Sequence, residues 1–191
     1  MHQYFPPRDE VSFHEAGHAV VAIAEGATVT SMRVGQITSR LGGQVCITFD
    51  RGSLSVRSQM LIAQAGTAAQ MVRILLRDWD GVAPAPQNWM PSELLTVNAQ
   101  QDAELFNSII GKSASETEGG SAMVGALGAA IRYVTMPEHW GKIDALASAF
   151  RLNDQIEPDE VFGIVFDAQR SREPRLTAAK LVAVNYVAQL L

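Results

Sequence analysis

Residues 13–19 read FHEAGHA, with His14 and His18 four apart and Glu15 directly after the first. On an α-helix, positions i and i+4 share a face. Both imidazoles can therefore aim a ring nitrogen at one ion. Glu15 is turned about 100° round the same helix. It is poorly placed to be a third ligand, but it can reach a water held by the metal. In zinc hydrolases the ion lowers the pKa of that water to about 7 and the carboxylate takes the proton. The chain contains four histidines, so the motif uses half of them. The competing reading of the same residues is an amphipathic helix with two surface or hydrogen-bonded histidines. Gly17 would let a second backbone pack against this helix beside the site.

A zinc site needs a third protein ligand. The extended motif with another histidine six residues after the second is absent, because position 24 is alanine. That removes the metzincin class. The acidic candidates are Asp50, Asp78, Asp80, Glu93, Asp102, Glu104, Glu116 and Glu118, with His139 as an outsider. Asp102 and Glu104 fall on a predicted helix, which holds a ligand more rigidly than a loop does. Spacing does not choose between them.

The elements that must position these groups follow from periodicity and punctuation. Pro6-Pro7 followed by Asp9 and Glu10 opens a helix, since proline needs no partner for its missing N–H and carboxylates favour the positive helix end. Phe13, Ala16, Gly17, Val20, Val21 and Ala24 recur at helical spacing, and Gly26 stops the run. Residues 28–49 read as a hairpin or small sheet, with Gly42-Gly43 turning between the strands. A second helix is expected from about Ser53 to Arg77, on a stripe of Met60, Leu61, Ala65, Ala68, Ala69, Val72 and Leu75. Residues 78–91 are a Trp/Pro-rich loop, fit for a lid or an interaction segment. A third helix begins at Ser92 and carries Asp102. Gly119-Gly120 reads as a flexible break, followed by helices over 121–136, from Pro137, from near Pro158, and over the last fifteen residues. After the hairpin the chain is essentially all helix. The expected architecture is a mainly α single domain, 1–191, with a zinc-site half at 1–110 and a helical part at 111–191.

Composition narrows the classes. Of 191 residues, 47% are hydrophobic and 18% charged, so a substantial core can be buried under a lean polar surface. The net charge of −5 and the lack of a basic run argue against nucleic acid as a partner. Cys46 is the one cysteine, which excludes a disulfide framework and a multi-Cys zinc site and fits a reducing cytoplasm. Cys46 itself is expected to be a small core residue. The N-terminus lacks the basic-then-apolar order of a signal peptide. The most apolar stretch, 119–136, is rich in small residues and carries Arg132, which fits a buried helix better than a membrane span. His2 and His139 read as surface residues, and Arg170, Arg172, Glu173 and Arg175 as a solvated turn. Trp79, Trp89 and Trp140 suit either core packing or a partner surface.

Taken in order, these segments resemble the peptidase domain of FtsH-type ATP-dependent zinc metalloproteases. HEAGHAVVA, His14 to Ala22, matches that family's HEAGHALVA nearly letter for letter. VTSMRVGQITSRLGGQVCITF is similar to its following β-segment, and LIAQAGTAAQMV to its xIAxxLGGRAAEExx helix. NAQQDAELFNSI is similar to GASNDLERATEL, whose aspartate is the third zinc ligand and falls on Asp102. Residues 139–161 are similar to the close of the domain. The order agrees over about 150 residues, with only the first stretch specific by itself. The resemblance implies a helical zinc-peptidase fold with a small sheet after the HExxH helix. It also implies zinc held by His14, His18 and Asp102, with Glu15 as the base and polypeptides as substrates.

The departures are specific. GGRAAEE is AGTAAQM here, so an arginine and two acidic groups are missing; these are read as structural or intersubunit groups. The GAS before the aspartate is absent, which keeps Glu104 and Glu93 in contention as ligands. The sequence starts just before the zinc helix and holds no GxxxxGK[ST] phosphate loop, so this chain alone is not expected to use ATP. Whether a separate ATPase delivers unfolded chains is left open. The family's ring assembly and the sparse surface charge point to a homo-oligomer. Two function classes remain: a zinc-dependent metallopeptidase, and a non-catalytic binding or scaffold module that kept the fold. Survival of Glu15 beside both histidines favours the enzyme.

Overall fold

Helix α1, Arg8–Ala24, starts where the sequence places it, with Pro7 in an extended conformation as its cap and Asp9 and Glu10 in its first turn. It ends in a Schellman turn. Gly26, at φ 89°, donates to Ile23 O at 3.1 Å, and Ala27 donates to Ala22 O at 2.8 Å. Glycine reaches that left-handed conformation at no steric cost. The computed structural model describes residues 7–37, 40–48, 54–81, 108–109 and 116–190, with the backbone alone at 36–47 and 116–120.

The strands follow directly. β1 (Thr28–Ile37) and β2 (Arg40–Thr48) pair antiparallel, from Thr28 opposite Thr48 to Ile37 opposite Arg40. Gly42 and Gly43 are therefore not the turn. They lie within β2, opposite Gly35 and Val34, and the pairing runs on to Ile37 opposite Arg40. The register shifts between Val29 and Ser31. Val29, Met32 and Val34 are all buried, yet Val29 and Met32 are an odd number of residues apart. One extra residue in the strand reconciles that spacing with a single buried face.

Helix α2 (Val56–Asp78) begins three residues later than Ser53, capped by Ser55, whose Oγ accepts the Ser58 N–H at 3.0 Å. Helix α3 (Glu116–Val134) runs straight through Gly119-Gly120. The expected break is overridden, at a helix cost of about 1 kcal/mol per glycine, by a helix that packs on α2. Helix α4 (Pro137–Phe150) opens on its proline. Strand β3, Gln155–Ile156, adds to the free side of β1 with Ile156 opposite Met32. Two residues carry no readable period, which is why sequence pattern misses this strand. Helices α5 (Pro158–Asp167) and α6 (Leu176–Ala188) complete the described chain. The protein is thus mainly helical with a small antiparallel sheet of order β2-β1-β3. No helix among the described residues is long and apolar enough to cross a membrane.

α1 is not amphipathic in place: every residue from Glu10 to Ala22 is buried. Helix α2, the β1–β2 hairpin and α4 all pack against it. From α4, Trp140 is 3% exposed and stacks on Phe13 at 5.5 Å between ring centroids, so it is a core residue. At the start of α1, Asp9 accepts from Arg73 of α2 at 2.6 Å and from Arg151, just past α4, at 3.1 Å. Arg8 donates to Phe150 O at 2.8 Å.

Gly17 is where α1 and α2 touch backbone to backbone. A Cβ there would lie 2.5 Å from Ala65 O and 2.8 Å from Ala69 Cβ. Neither is the movable end of a long side chain, so the helices would have to part. Gly17→Ala should cost about 1–3 kcal/mol of stability despite alanine's better helix propensity. Urea unfolding of the two proteins measures this, and equal midpoints would mean the helices do not meet there.

Candidate functional site

The crossing of α1 and α2 brings the two histidines of the motif together in the interior. His14 and His18 are each 9% exposed, so they are not surface histidines, but both are hydrogen-bonded, as the competing reading also allows. Their Nε2 atoms stand 3.1 Å apart, and the rings meet edge to face with centroids at 4.8 Å.

The other nitrogen of each ring is committed. His18 Nδ1 lies 2.7 Å from Ile62 O. A carbonyl oxygen only accepts, so Nδ1 carries the proton. His14 Nδ1 lies 3.2 Å from Gln70 Oε1. That end of the amide is assigned by its other end, because Gln70 Nε2 donates to Glu10 Oε2 at 3.2 Å. Turning the amide over would set its oxygen against a carboxylate. His14 Nδ1 is therefore also a donor. In the neutral rings both Nε2 atoms then present lone pairs, and two lone pairs at 3.1 Å repel. Either a shared proton or a cation relieves them.

The resemblance implies zinc, and these residues fit it. Two nitrogens each about 2.0–2.1 Å from one ion can be at most about 4 Å apart, and 3.1 Å is within that limit. Both Nδ1 atoms donate to oxygen acceptors, which is the usual arrangement behind a metal-bound imidazole. Gly66 of α2 supplies the room: a Cβ there would come 2.7 Å from His14 Nε2.

Behind His14 the network ends on an arginine. Glu10 has a side chain 1% exposed and accepts from Arg77 Nη1 at 2.6 Å. Arg77 also grips Asp78 with two hydrogen bonds of 2.7 Å. Those bonds, followed by Glu10, hold the guanidinium above its ordinary pKa, and the same contact lowers the Asp78 carboxyl. A buried carboxylate without such a partner would be costly.

Of the other candidate ligands, Asp78, Asp80 and His139 are described, and none joins the pair. Asp78 is taken by Arg77, and His139 Nδ1 donates to Tyr133 O at 3.0 Å while its ring packs on Tyr133. Among the described residues no three His, Cys, Asp or Glu side chains gather as a metal-binding group. Asp102, Glu104, Glu93 and Asp50 lie outside the described residues, as do Trp89 and most of the loop 78–91. The side chains of Glu116, Glu118 and Cys46 do so too. Glu15 is buried on α1 as well, at 7% exposure.

Sequence reasoning missed Glu10, Gln70, Arg77 and Gly66. Glu10 carried a signal: it precedes His14 by four residues, as His14 precedes His18, and so shares their face. It was explained instead by the helix dipole. Gln70 is placed behind the histidine pair by its contact with His14. The Arg175–Glu173 turn is also less solvated than expected, since Arg175 Nη1 reaches Trp79 O at 3.0 Å.

Comparison with protein-family models and with curated proteins gives no match to this chain.

Gly66→Ala should abolish the space between the imidazoles. A lowering of zinc affinity by about 100-fold is expected, at the upper end of what a disturbed ligand shell costs. Calorimetric zinc titration checks it, with circular dichroism of the metal-free variant to verify the fold. Wild-type affinity in a folded Gly66→Ala protein would place any zinc elsewhere.

Proposed function

We propose that this protein is a zinc-dependent metallopeptidase that hydrolyses unfolded or extended polypeptides, of the kind found in FtsH-type proteases. The observation that carries the reading is the pair of Nε2 atoms 3.1 Å apart, with both Nδ1 atoms donating to fixed acceptors. A buried site of that kind, with Glu15 one residue along the same helix, is hard to account for by packing alone. His14 and His18 hold the ion, with Asp102 proposed as the third ligand on the strength of the resemblance. When bound, zinc supplies a Lewis acid that lowers the pKa of water toward neutrality.

Glu15 is the general base. Its carboxylate takes a proton from the attacking water and can return it to the leaving amine. Burial on a helix fixed from three sides keeps that carboxylate in one place, and preorganisation of this sort is what a base needs. The substrate is proposed to lie as an added strand along β2. Among the described residues β2 is at the edge of the sheet, with β1 on its one paired side. Main-chain hydrogen bonds to such an edge tolerate many sequences. A folded protein cannot offer its backbone in that way, so a separate ATPase that unfolds substrates is a fitting partner.

Glu15→Gln keeps size and removes the base. It should retain zinc and fold while hydrolysis of an unfolded protein falls by about two to four orders of magnitude. The assay compares an unfolded substrate with its folded form, with zinc and without ATP. In the inactive variant the unfolded substrate should slow amide exchange in β2. Equal activity in wild type and Glu15→Gln would expose a contaminating protease. Zinc binding without cleavage of any unfolded chain would favour a non-catalytic scaffold.

A further inference from the structure

A hydrogen-bond chain that begins on an arginine has only one possible direction. Arg77 has no acceptor atom, so at 2.6 Å from Glu10 Oε1 it must donate. Glu10 must accept, there and at Oε2, where Gln70 Nε2 stands 3.2 Å away. That consumes the donor end of the amide on the Glu10 side and leaves Gln70 Oε1 facing His14 Nδ1 at 3.2 Å. Each link dictates the next, over residues that are all buried beyond the guanidinium: Glu10 and Gln70 are both 0% exposed.

We propose that Arg77, Glu10 and Gln70 form a one-way hydrogen-bond relay that selects the Nδ1–H tautomer of His14, with Glu10 and Gln70 as positioning residues of the site. The consequence for zinc rests on the metallopeptidase reading, whereas the tautomer does not. The two histidines are thereby set by different means. His18 takes its tautomer from the Ile62 carbonyl, a backbone group that no substitution removes. His14 takes its own from an amide, which has a donor and an acceptor end and would serve either tautomer. Among the described residues it is the carboxylate of Glu10, held by Arg77, that decides which end faces the ring. Without that decision His14 has a competing arrangement close at hand: an Nε2–H donated to His18 Nε2, 3.1 Å away. That proton would occupy the direction in which both rings would otherwise hold an ion.

The relay also predicts which exchange of residues it tolerates. Exchanging the two groups, Glu10→Gln with Gln70→Glu, keeps every arrow. Arg77 donates to the new amide oxygen, the amide donates to the new carboxylate, and the carboxylate accepts from His14 Nδ1–H. A carboxylate in direct contact with a ligating histidine raises its basicity, so zinc should bind at least as tightly as in the wild type.

The test uses the full chain, metal-free, with nitrogen-15 imidazole NMR at about pH 8.5, where ordinary histidines are neutral, together with zinc affinity by chelator competition. Wild type should show Nδ1–H at both histidines. In Gln70→Leu, His14 should switch to Nε2–H while His18 stays Nδ1–H, and zinc affinity should fall by about 10–100-fold. The exchanged pair should restore Nδ1–H at His14 and wild-type affinity or better. A residue that merely fills space would leave the tautomer unmoved. The relay is overturned if Gln70→Leu retains Nδ1–H at His14 or if the exchanged pair shows Nε2–H, and in a wild type that binds zinc an unchanged affinity in Gln70→Leu overturns the positioning role. Should Gln70→Leu fail to fold, the volume-conserving exchanged pair decides by its tautomer. A wild type that ignores zinc but shows the stated tautomers, with the switch in Gln70→Leu, would sink the metallopeptidase reading and uphold tautomer selection by the relay.

Discussion

Two helices meet so closely at Gly17 and Gly66 that neither position has room for a methyl group, and most of the site's geometry follows from that contact. Backbones brought this near place the acceptors of α2, the Ile62 carbonyl and the Gln70 amide, within hydrogen-bond reach of rings that belong to α1. Larger residues at the crossing would part the helices. The imidazoles would then lose their acceptors and the buried Glu10 its donor. The same glycines that permit the contact make it unforgiving.

A helix buried on every side has to satisfy its own polar groups. Glu10, Ser12, His14, Glu15 and His18 all lie in the interior of the protein. Leaving any one unpartnered would cost a few kcal/mol, and a lone charge more. Ser12 Oγ returns its bond to Arg8 O within the helix. Glu10 draws on Arg77 and Gln70. This concentration of polar groups is unfavourable for a helix meant only to fill a core. It fits the proposed function, in which an ion, a proton acceptor and their supports must be held still. The ties of Arg8 and Asp9 to α2 and to the end of α4 hold the start of the helix, and the Gly26 turn fixes its end.

How much of this is readable in advance depends on the range of the interaction. Helix starts at Pro137 and Pro158 and the stop at Gly26 are local chemistry, and they are legible. So is the i, i+4 pairing of His14 and His18. The Gly42-Gly43 turn and the Gly119-Gly120 break were local inferences overruled by strand register and by helix packing. Strand β3 exists only because Asp154 O and Ile156 meet β1, and two residues have no pattern. The relay was hardest to see. Gln70 lies 56 residues from His14, and Arg77 lies 67 from Glu10. Only the α1–α2 crossing joins them, and no periodicity encodes a crossing.

On the proposed function, His14 and His18 converge to hold one zinc ion. Metal content measures that most directly: the protein purified in zinc-supplemented, chelator-free buffer, beside His14→Ala prepared identically and verified as folded. One zinc ion per wild-type chain is expected and none retained by His14→Ala, since a zinc site that loses one of its protein ligands loses most of its affinity. Equal zinc in the two proteins, or a wild type that holds none, would contradict it.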